Sequence, residues 1–173
     1  MKIYSEILSD QRKPMIGWPE NYRPEVTLVH VRNEIEIPVP PETVWAWLIR
    51  AKLWPTWYPN SHDVLLECGK PDLALGSRFR WKTFGITLNS KVEEFVPPHR
   101  LAWSAQSSGL SAYHVWLIES RPNGCYVLTE ETQNGLLARL GHAVRPNNMR
   151  KHHQIWLEQL KAKALTGPPP QAG

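Results

Sequence analysis

The sequence predicts a single α+β domain in which a curved antiparallel sheet of seven strands wraps around one long C-terminal helix. Three observations support this: short segments with alternating hydrophobicity, turn residues between them, and a long amphipathic segment after them. The chain has 173 residues, 42% hydrophobic and 21% charged, a balance typical of one globular domain. We expect this domain at 25–166, an N-terminal arm at 1–24 and a disordered, proline-rich tail at 167–173.

The predicted domain opens with a strand and two short helices. Residues 26–37 alternate between hydrophobic and charged side chains, which is typical of a half-buried strand. Pro41 and Glu42 suit the first turn of a helix whose apolar stripe starts at Val44. Pro55 and Pro59 confine a second helical segment at 53–59 to one or two turns.

Six further strands are predicted after residue 60, where hydrophobic residues recur at every second position. Turns that contain glycine or proline separate these strands at short spacing, so consecutive strands should pair antiparallel. The predicted ranges are 63–68, 77–84, 86–96, 100–106, 112–119 and 126–132.

The long C-terminal helix is predicted to begin at Pro146 and to stop at Gly167. Residues 136–144 form a shorter apolar segment that leads into it. A sheet with one apolar face needs a cover, and this helix is the only predicted element long enough to supply one. Because a bent sheet around one helix leaves space at its mouth, we expect an apolar cavity. The helix's apolar stripe consists of Met149, His153, Trp156, Leu160 and Ala164.

Composition and charge argue against several classes of protein. The net charge is +4, but Lys and Arg are spread along the chain, which argues against nucleic-acid binding. Cys68 and Cys125 are too few for a disulfide framework and are expected to be reduced, buried thiols. We see no signal peptide and no apolar run of about eighteen residues, so we expect a cytoplasmic protein without integral membrane contact. The sequence leaves the oligomeric state open, including a homodimer.

Motifs for catalysis or cofactor binding are scarce. The sequence has no His-Glu-x-x-His or Cys-x-x-Cys motif, no nucleophile motif and no dinucleotide fingerprint. We therefore predict no cofactor and no metal, although a metal site assembled from distant histidines stays open. His152 and His153 are adjacent on a helix and cannot both face one ion. The strand carboxylates Glu94, Glu130 and Glu131 are expected to be solvated.

His114 is the one catalytic candidate, because on its strand it shares a face with Ala112 and Trp116. It is either a hydrogen-bonded core histidine or a cavity-lining group that orients a ligand carbonyl or moves a proton. The tryptophans on neighbouring strands are either plain core or the wall of an aromatic cavity. The predicted ligand-binding residues are Tyr58, Trp81, Trp103, His114, Trp116 and Trp156.

Several parts of the sequence share the pattern of a known superfamily. They are the strand-to-helix passage at 35–45, the Leu-Trp-Pro-Thr-Trp segment at 53–57, a hairpin at 92–103, and a last hairpin at 114–119 and 124–129. Together they resemble the SRPBCC superfamily, also called START-like or Bet v 1-like, and its polyketide cyclase/dehydrase-like branch. The resemblance covers roughly residues 26–165 and implies the helix-grip fold.

The superfamily includes lipid carriers, polyketide cyclases, aromatase-like enzymes and chaperone activators, so the resemblance leaves three functions open. The protein binds a small apolar molecule, ring-bearing or lipid-like, or it acts on such a molecule with His114 or a glutamate as acid or base, or it docks another protein. An enzyme should have a buried polar pair within hydrogen-bond reach at the cavity. A docking module should have a filled core and an exposed apolar patch.

Overall fold

The computed structural model describes residues 17–170, without the side chain of Cys68. Residues 1–16 of the predicted arm and 171–173 of the predicted tail lie outside the described residues. Within the described part, none of the helices is long and apolar enough to cross a membrane.

All the strands of the described chain belong to one curved antiparallel sheet, as predicted. They are β1 (Val29–Ile37), β2 (His62–Leu66), β3 (Arg78–Thr83), β4 (Ile86–Val96), β5 (Arg100–Ser107), β6 (Leu110–Arg121) and β7 (Gly124–Asn134). Their order in the sheet is β1-β7-β6-β5-β4-β3-β2. At the turn that joins them, β6 and β7 extend beyond their predicted ends because the turn has only two residues and lets Arg121 pair directly with Gly124.

Three α-helices accompany the sheet in the described residues: α1 (Pro41–Ile49), α2 (Leu136–Val144) and α3 (Asn148–Ala164). A short 3₁₀ helix (Ala51–Thr56) follows α1. The long helix α3 packs against β1 and α1, so the prediction of a sheet gripping a C-terminal helix is confirmed. The apolar segment at 136–144 is itself a helix, α2, for which no separate element was predicted.

Aromatic side chains fill one end of the space between the sheet and α3. Trp54 lies at the centre of this aromatic cluster with no exposed surface, and its indole N–H donates a 3.0 Å hydrogen bond to the carbonyl oxygen of Leu48. The rings around Trp54, with centroids 5.3 to 5.9 Å from its own, belong to Phe79, Trp81, Trp103 and Trp156. These bulky rings keep the sheet and the helix apart and make up much of the core.

The N-terminal segment at 17–26 packs on the outer face of the sheet. The rings of Trp18 and Tyr22 lie 6.0 Å and 5.5 Å from the ring of Tyr113 on β6. The hydroxyl of Thr132 donates a 2.9 Å hydrogen bond to the carbonyl oxygen of Tyr22. Part of the predicted arm therefore covers the outer face, and β6 is buried on both of its sides.

Candidate functional site

A cavity of about 390 Å³ lies between one end of the sheet, α2 and the first half of α3. Most of its wall is apolar, and the small side chains of Ala105 and Ala112, which face each other across β5 and β6, leave much of the space. The cavity expected from the bent sheet is therefore present. Other apolar wall residues are Val29, Leu88, Leu110 and Met149.

Five of the six residues predicted to bind a ligand line this cavity. They are Tyr58, Trp81, Trp103, His114 and Trp156. Trp116 does not line it: its ring has no exposed surface and packs 5.5 Å from the ring of His114 and 5.2 Å from that of Trp156. On β6 the wall ends at His114, and the next inward residue belongs to the core. The role of the five residues in binding stays a prediction.

The helix α2 separates the cavity from solvent. Leu137, Leu140 and Val144 line the cavity on this side, yet 39%, 52% and 75% of their surfaces are exposed. The helix starts after Gly135, whose φ of 103° is unfavourable for other residues and whose position lies against the backbone of Gly109. The helix α2 is therefore a thin apolar cover over the cavity. It is connected to β7 through Gly135, at a backbone conformation that only glycine adopts readily.

His114, Glu131 and His153 meet at the cavity wall. His114 Nδ1 lies 3.0 Å and His153 Nε2 lies 3.2 Å from the same carboxylate oxygen, Glu131 Oε2. The two imidazole rings are stacked with centroids 4.8 Å apart. Residues paired across two strands point to the same face, and the register pairs His114 with Glu131. His153 reaches the cluster from the apolar stripe of α3.

Two more polar side chains hold this His-Glu-His cluster in place. The hydroxyl of Thr129 lies 2.7 Å from Nε2 of His114. The side-chain amide of Gln133 donates a hydrogen bond to Glu131 Oε1, the other carboxylate oxygen. Among the described residues, only Nδ1 of His153 in the cluster is buried without a hydrogen-bond partner. The three cluster residues and their two supporting side chains thus come from two strands and a helix.

The protonation states follow from burial and from these contacts. Burial alone would raise the pKa of Glu131, but the two imidazoles outweigh it and hold that pKa well below its usual range. Burial lowers the pKa of His114 to about 4, against the opposing attraction of Glu131. An ionised carboxylate only accepts hydrogen bonds, so the imidazoles donate to it through His114 Nδ1–H and His153 Nε2–H.

The expectation that Glu130 and Glu131 are solvated is wrong. The side chain of Glu131 is 12% exposed and lies in the cluster, whereas Glu130 is buried on the outer face. There it accepts a 2.7 Å hydrogen bond from the guanidinium of Arg32 and lies 3.0 Å from the imidazole of His30. Glu94, also on the outer face, is half-buried and accepts a hydrogen bond from the hydroxyl of Tyr113.

Glu131 and His153 were missed as site residues, although the sequence carries a signal for each. A two-residue turn at Pro122 and Asn123 fixes the pairing of β6 with β7, and counting back from it places Glu131 opposite His114. His153 lies on the predicted apolar stripe of the C-terminal helix, which has to face the sheet. Combining the two signals would have brought all three residues together.

Comparison with known proteins identifies relatives at the level of the fold and of the family. A family model described as "Polyketide cyclase / dehydrase and lipid transport" matches residues 29–165. A crystal structure of the hypothetical protein jhp0584 from Helicobacter pylori is 32% identical, covering 88% of this chain and 97% of its own, with a TM-score of 0.82. No match is found among the curated proteins.

More distant structures share the fold alone. The di-domain ARO/CYC protein StfQ from the steffimycin biosynthetic pathway is 14% identical, with a TM-score of 0.66 over 81% of this chain and 52% of its own. TTHA0849 from Thermus thermophilus is 16% identical, with a TM-score of 0.65 over 80% of this chain and 98% of its own.

Proposed function

The chain belongs to the polyketide cyclase / dehydrase and lipid transport family, and from that premise we propose that its cavity binds one small hydrophobic molecule with a ring system and a hydroxyl group. This family assignment confirms the resemblance to the polyketide cyclase-like branch of the SRPBCC superfamily. The observation that carries the proposal is an apolar cavity of about 390 Å³ with one buried polar cluster in its wall. Such a combination is typical of small-molecule sites.

The aromatic wall favours a ring-bearing ligand. Trp81, Trp103 and Trp156 present their rings to the cavity from two strands and from α3, and Tyr58 is stacked on Trp156 at 4.3 Å. A flat ligand gains contact area and ring-to-ring contacts on such a surface. Burial of a ligand with ten to fifteen heavy atoms would give an affinity on the order of micromolar without a charged contact.

The His-Glu-His cluster favours a ligand that donates a hydrogen bond. Both imidazole N–H groups that face Glu131 already donate to it, so they have no proton to offer a carbonyl oxygen. Glu131 accepts three hydrogen bonds, from His114, His153 and Gln133. A carboxylate has about four acceptor sites, which leaves one for a ligand. A phenol or enol hydroxyl fits that remaining acceptor.

Catalysis on the bound molecule is the second candidate function, and one observation favours it. If the protein is an enzyme, a buried polar pair within hydrogen-bond reach is expected at the cavity. His114 and Glu131 form such a pair. The lowered pKa of Glu131 makes it a weak base, but its place at the cavity wall allows it to take a proton from the carbon next to a ligand carbonyl, leaving the electron pair on the carbonyl oxygen as an enolate. Ring closure by aldol addition and dehydration both need such a step.

A protein-docking function has less support. That function requires a filled core, and the space between the sheet, α2 and α3 holds a cavity instead.

Titration with a matched pair of ligands tests the binding proposal. The quenching of tryptophan fluorescence is measured for 2-naphthol and for 2-methoxynaphthalene, which has the same ring system but no donor. We expect one saturable site for 2-naphthol and an affinity at least about tenfold higher than for 2-methoxynaphthalene, because hydrogen bonds to charged groups are strong. The Glu131→Gln variant should lose this preference, whereas the His152→Ala control should keep it. The absence of saturable binding by either compound would overturn the proposal.

Hydrogen exchange at carbon tests the catalytic candidate separately. The α-protons of 2-tetralone are followed by NMR in D₂O with the parent protein, with Glu131→Gln and with His152→Ala. We expect the parent and His152→Ala to accelerate exchange above the buffer rate and Glu131→Gln to lose the acceleration. If the parent protein binds 2-tetralone and does not accelerate exchange, the catalytic candidate is ruled out and the binding proposal stands.

A further inference from the structure

We propose that His114, Glu131 and His153 form a binding site for one divalent transition-metal ion of the Zn²⁺ class. This site goes beyond the binding of an organic ligand and does not depend on it. The ligand atoms would be His114 Nδ1, Glu131 Oε2 and His153 Nε2, and the three residues each place one ligand atom within 4.8 Å of the other two. Two imidazoles and a carboxylate are a frequent ligand set for zinc in proteins.

The two separations between the carboxylate oxygen and the imidazole nitrogens fit a tetrahedral metal site. Bonds of about 2.0 Å from a zinc ion to nitrogen and oxygen place neighbouring ligand atoms about 3.3 Å apart in a tetrahedron. The observed distances from Glu131 Oε2 are 3.0 Å to His114 Nδ1 and 3.2 Å to His153 Nε2. An ion could therefore replace the two hydrogen bonds with shifts of a few tenths of an ångström.

The surroundings of the cluster resemble the outer shell of a metal site. Metal-binding histidines usually hold their second ring nitrogen with a hydrogen-bond partner, and His114 Nε2 lies 2.7 Å from the hydroxyl of Thr129. The second carboxylate oxygen of Glu131 is held by Gln133. With metal on Nδ1, the proton of neutral His114 moves to Nε2 and is donated to Thr129. His114 thereby changes from one neutral tautomer to the other, and the number of protons on its ring stays the same.

The charge of the cluster also favours a cation. Glu131 forms its ion pairs with the two histidines, and no Lys or Arg of the described chain pairs with it. A buried carboxylate without a Lys or Arg partner is short of fixed positive charge, and a divalent ion supplies it.

The position of the site leaves one coordination place facing the cavity. All three residues line the cavity wall, and three protein ligands with an open fourth place are typical of zinc sites that act on other molecules. If the proposed ligand binding holds, the hydroxyl oxygen of that ligand would occupy the fourth place as an oxygen donor. The ion would then anchor the same molecule that the apolar wall encloses.

Metal titration of the untagged, full-length protein tests this inference. The protein is dialysed against a chelator and titrated calorimetrically with Zn²⁺ and with Mg²⁺, and Co²⁺ is followed by its visible absorption. We expect one Zn²⁺ per chain with a Kd of about 1 μM or tighter, the visible bands of tetrahedral Co²⁺, and no binding of Mg²⁺, which prefers oxygen ligands. Glu131→Gln and His153→Ala should each weaken Zn²⁺ binding by at least about 100-fold, and His152→Ala should not.

A stability measurement keeps the test decisive if a variant folds poorly. Zn²⁺ that binds the folded state raises its melting temperature, and we expect this shift in the parent protein and in His152→Ala. An unshifted parent, or stoichiometric binding that survives both Glu131→Gln and His153→Ala, would overturn the inference. Because ligand titrations on chelated protein are independent of the ion, failure of the metal site leaves the binding proposal standing.

Discussion

His114 and Glu131 are direct partners across the hairpin of β6 and β7, and their side chains meet 3.0 Å apart on the cavity side of the sheet. The pairing is a property of the backbone register, because a two-residue turn leaves the strands no freedom to slip. The strands β6 and β7 thus each place one polar side chain in the apolar wall of the cavity. The helix α3 adds His153 to the same oxygen and closes the cluster from the opposite side.

Filling the cavity should weaken ligand binding without unfolding the protein. Ala105 lines the cavity opposite Ala112, so the ring of an Ala105→Phe variant has space to enter. We expect the affinity for 2-naphthol to fall at least about tenfold, since the ligand and the new ring would overlap. The control is Ala162→Phe, on the exposed face of α3. Equal affinities for the two variants would place the ligand elsewhere.

The hydroxyl of Thr129 should stabilise the fold through His114. Both residues are buried and Thr129 has no exposed surface, so Thr129→Val keeps the shape and leaves His114 Nε2 without a partner. Such an unsatisfied buried group costs about 1–3 kcal/mol in the free energy of unfolding, measured by urea denaturation. The exposed Thr87 on β4 provides the control, because Thr87→Val should change stability by less than about 0.5 kcal/mol. A loss that small for Thr129→Val would show that this contact contributes little.

Gly135 should be required for the placement of α2. A Cβ there would collide with the backbone of Gly109, and the backbone angles of φ 103° and ψ 168° are almost exclusive to glycine. Gly135→Ala should cost about 1–3 kcal/mol in unfolding free energy and should increase amide hydrogen exchange in α2. Gly141→Ala, within α2 and with open space around its Cα, should be neutral or stabilising by up to about 1 kcal/mol. Similar effects of the two substitutions would argue against a special role for Gly135.

The thiol of Cys125 should be unreactive in the folded protein near neutral pH. Burial raises its pKa to about 11, whereas the pKa of an unfolded cysteine is about 8.5. Burial thus favours the neutral thiol, and the resulting stabilisation is present below the unfolded pKa and lost as the pH rises toward the folded pKa. In a Cys68→Ser background, the reaction with a disulfide reagent at pH 8 should be roughly two orders of magnitude slower than after unfolding. A rate close to that of the unfolded chain would contradict the burial of Cys125.

The sheet could be predicted closely because its strands show alternating hydrophobicity and are bounded by recognisable turn residues. Alternating hydrophobicity gives β3 and β4 their faces, and a glycine turn at Gly85 fixes where one ends and the next begins. The helix α2 was missed as an element, even though Leu136, Leu140 and Val144 have helical spacing. Its apolar residues border a cavity and solvent instead of a packed core, so the usual amphipathic interpretation did not apply.

The site was harder to predict because alternating hydrophobicity identifies the buried face of a strand, but not which residues on that face reach the cavity. His114 and Trp116 share one face of β6, but the wall ends at His114 and Trp116 belongs to the core. Which of the two reaches the cavity depends on where α2 and α3 cross the sheet, a property of tertiary packing. The burial of Glu131 was missed for a related reason, since a carboxylate is stable there only with partners from a second strand and a helix.

Methyl NMR with 2-naphthol tests the central claim, the enclosure of a small hydrophobic molecule by the sheet, α2 and α3, most directly. The account predicts saturable shifts at one equivalent, concentrated on the methyl groups of Val29, Leu110, Leu137 and Leu140, which line the cavity. The methyl groups of the exposed Leu65 on β2 should not shift. Shifts that are absent, or that fall on Leu65 and leave the cavity methyl groups unchanged, would contradict the account.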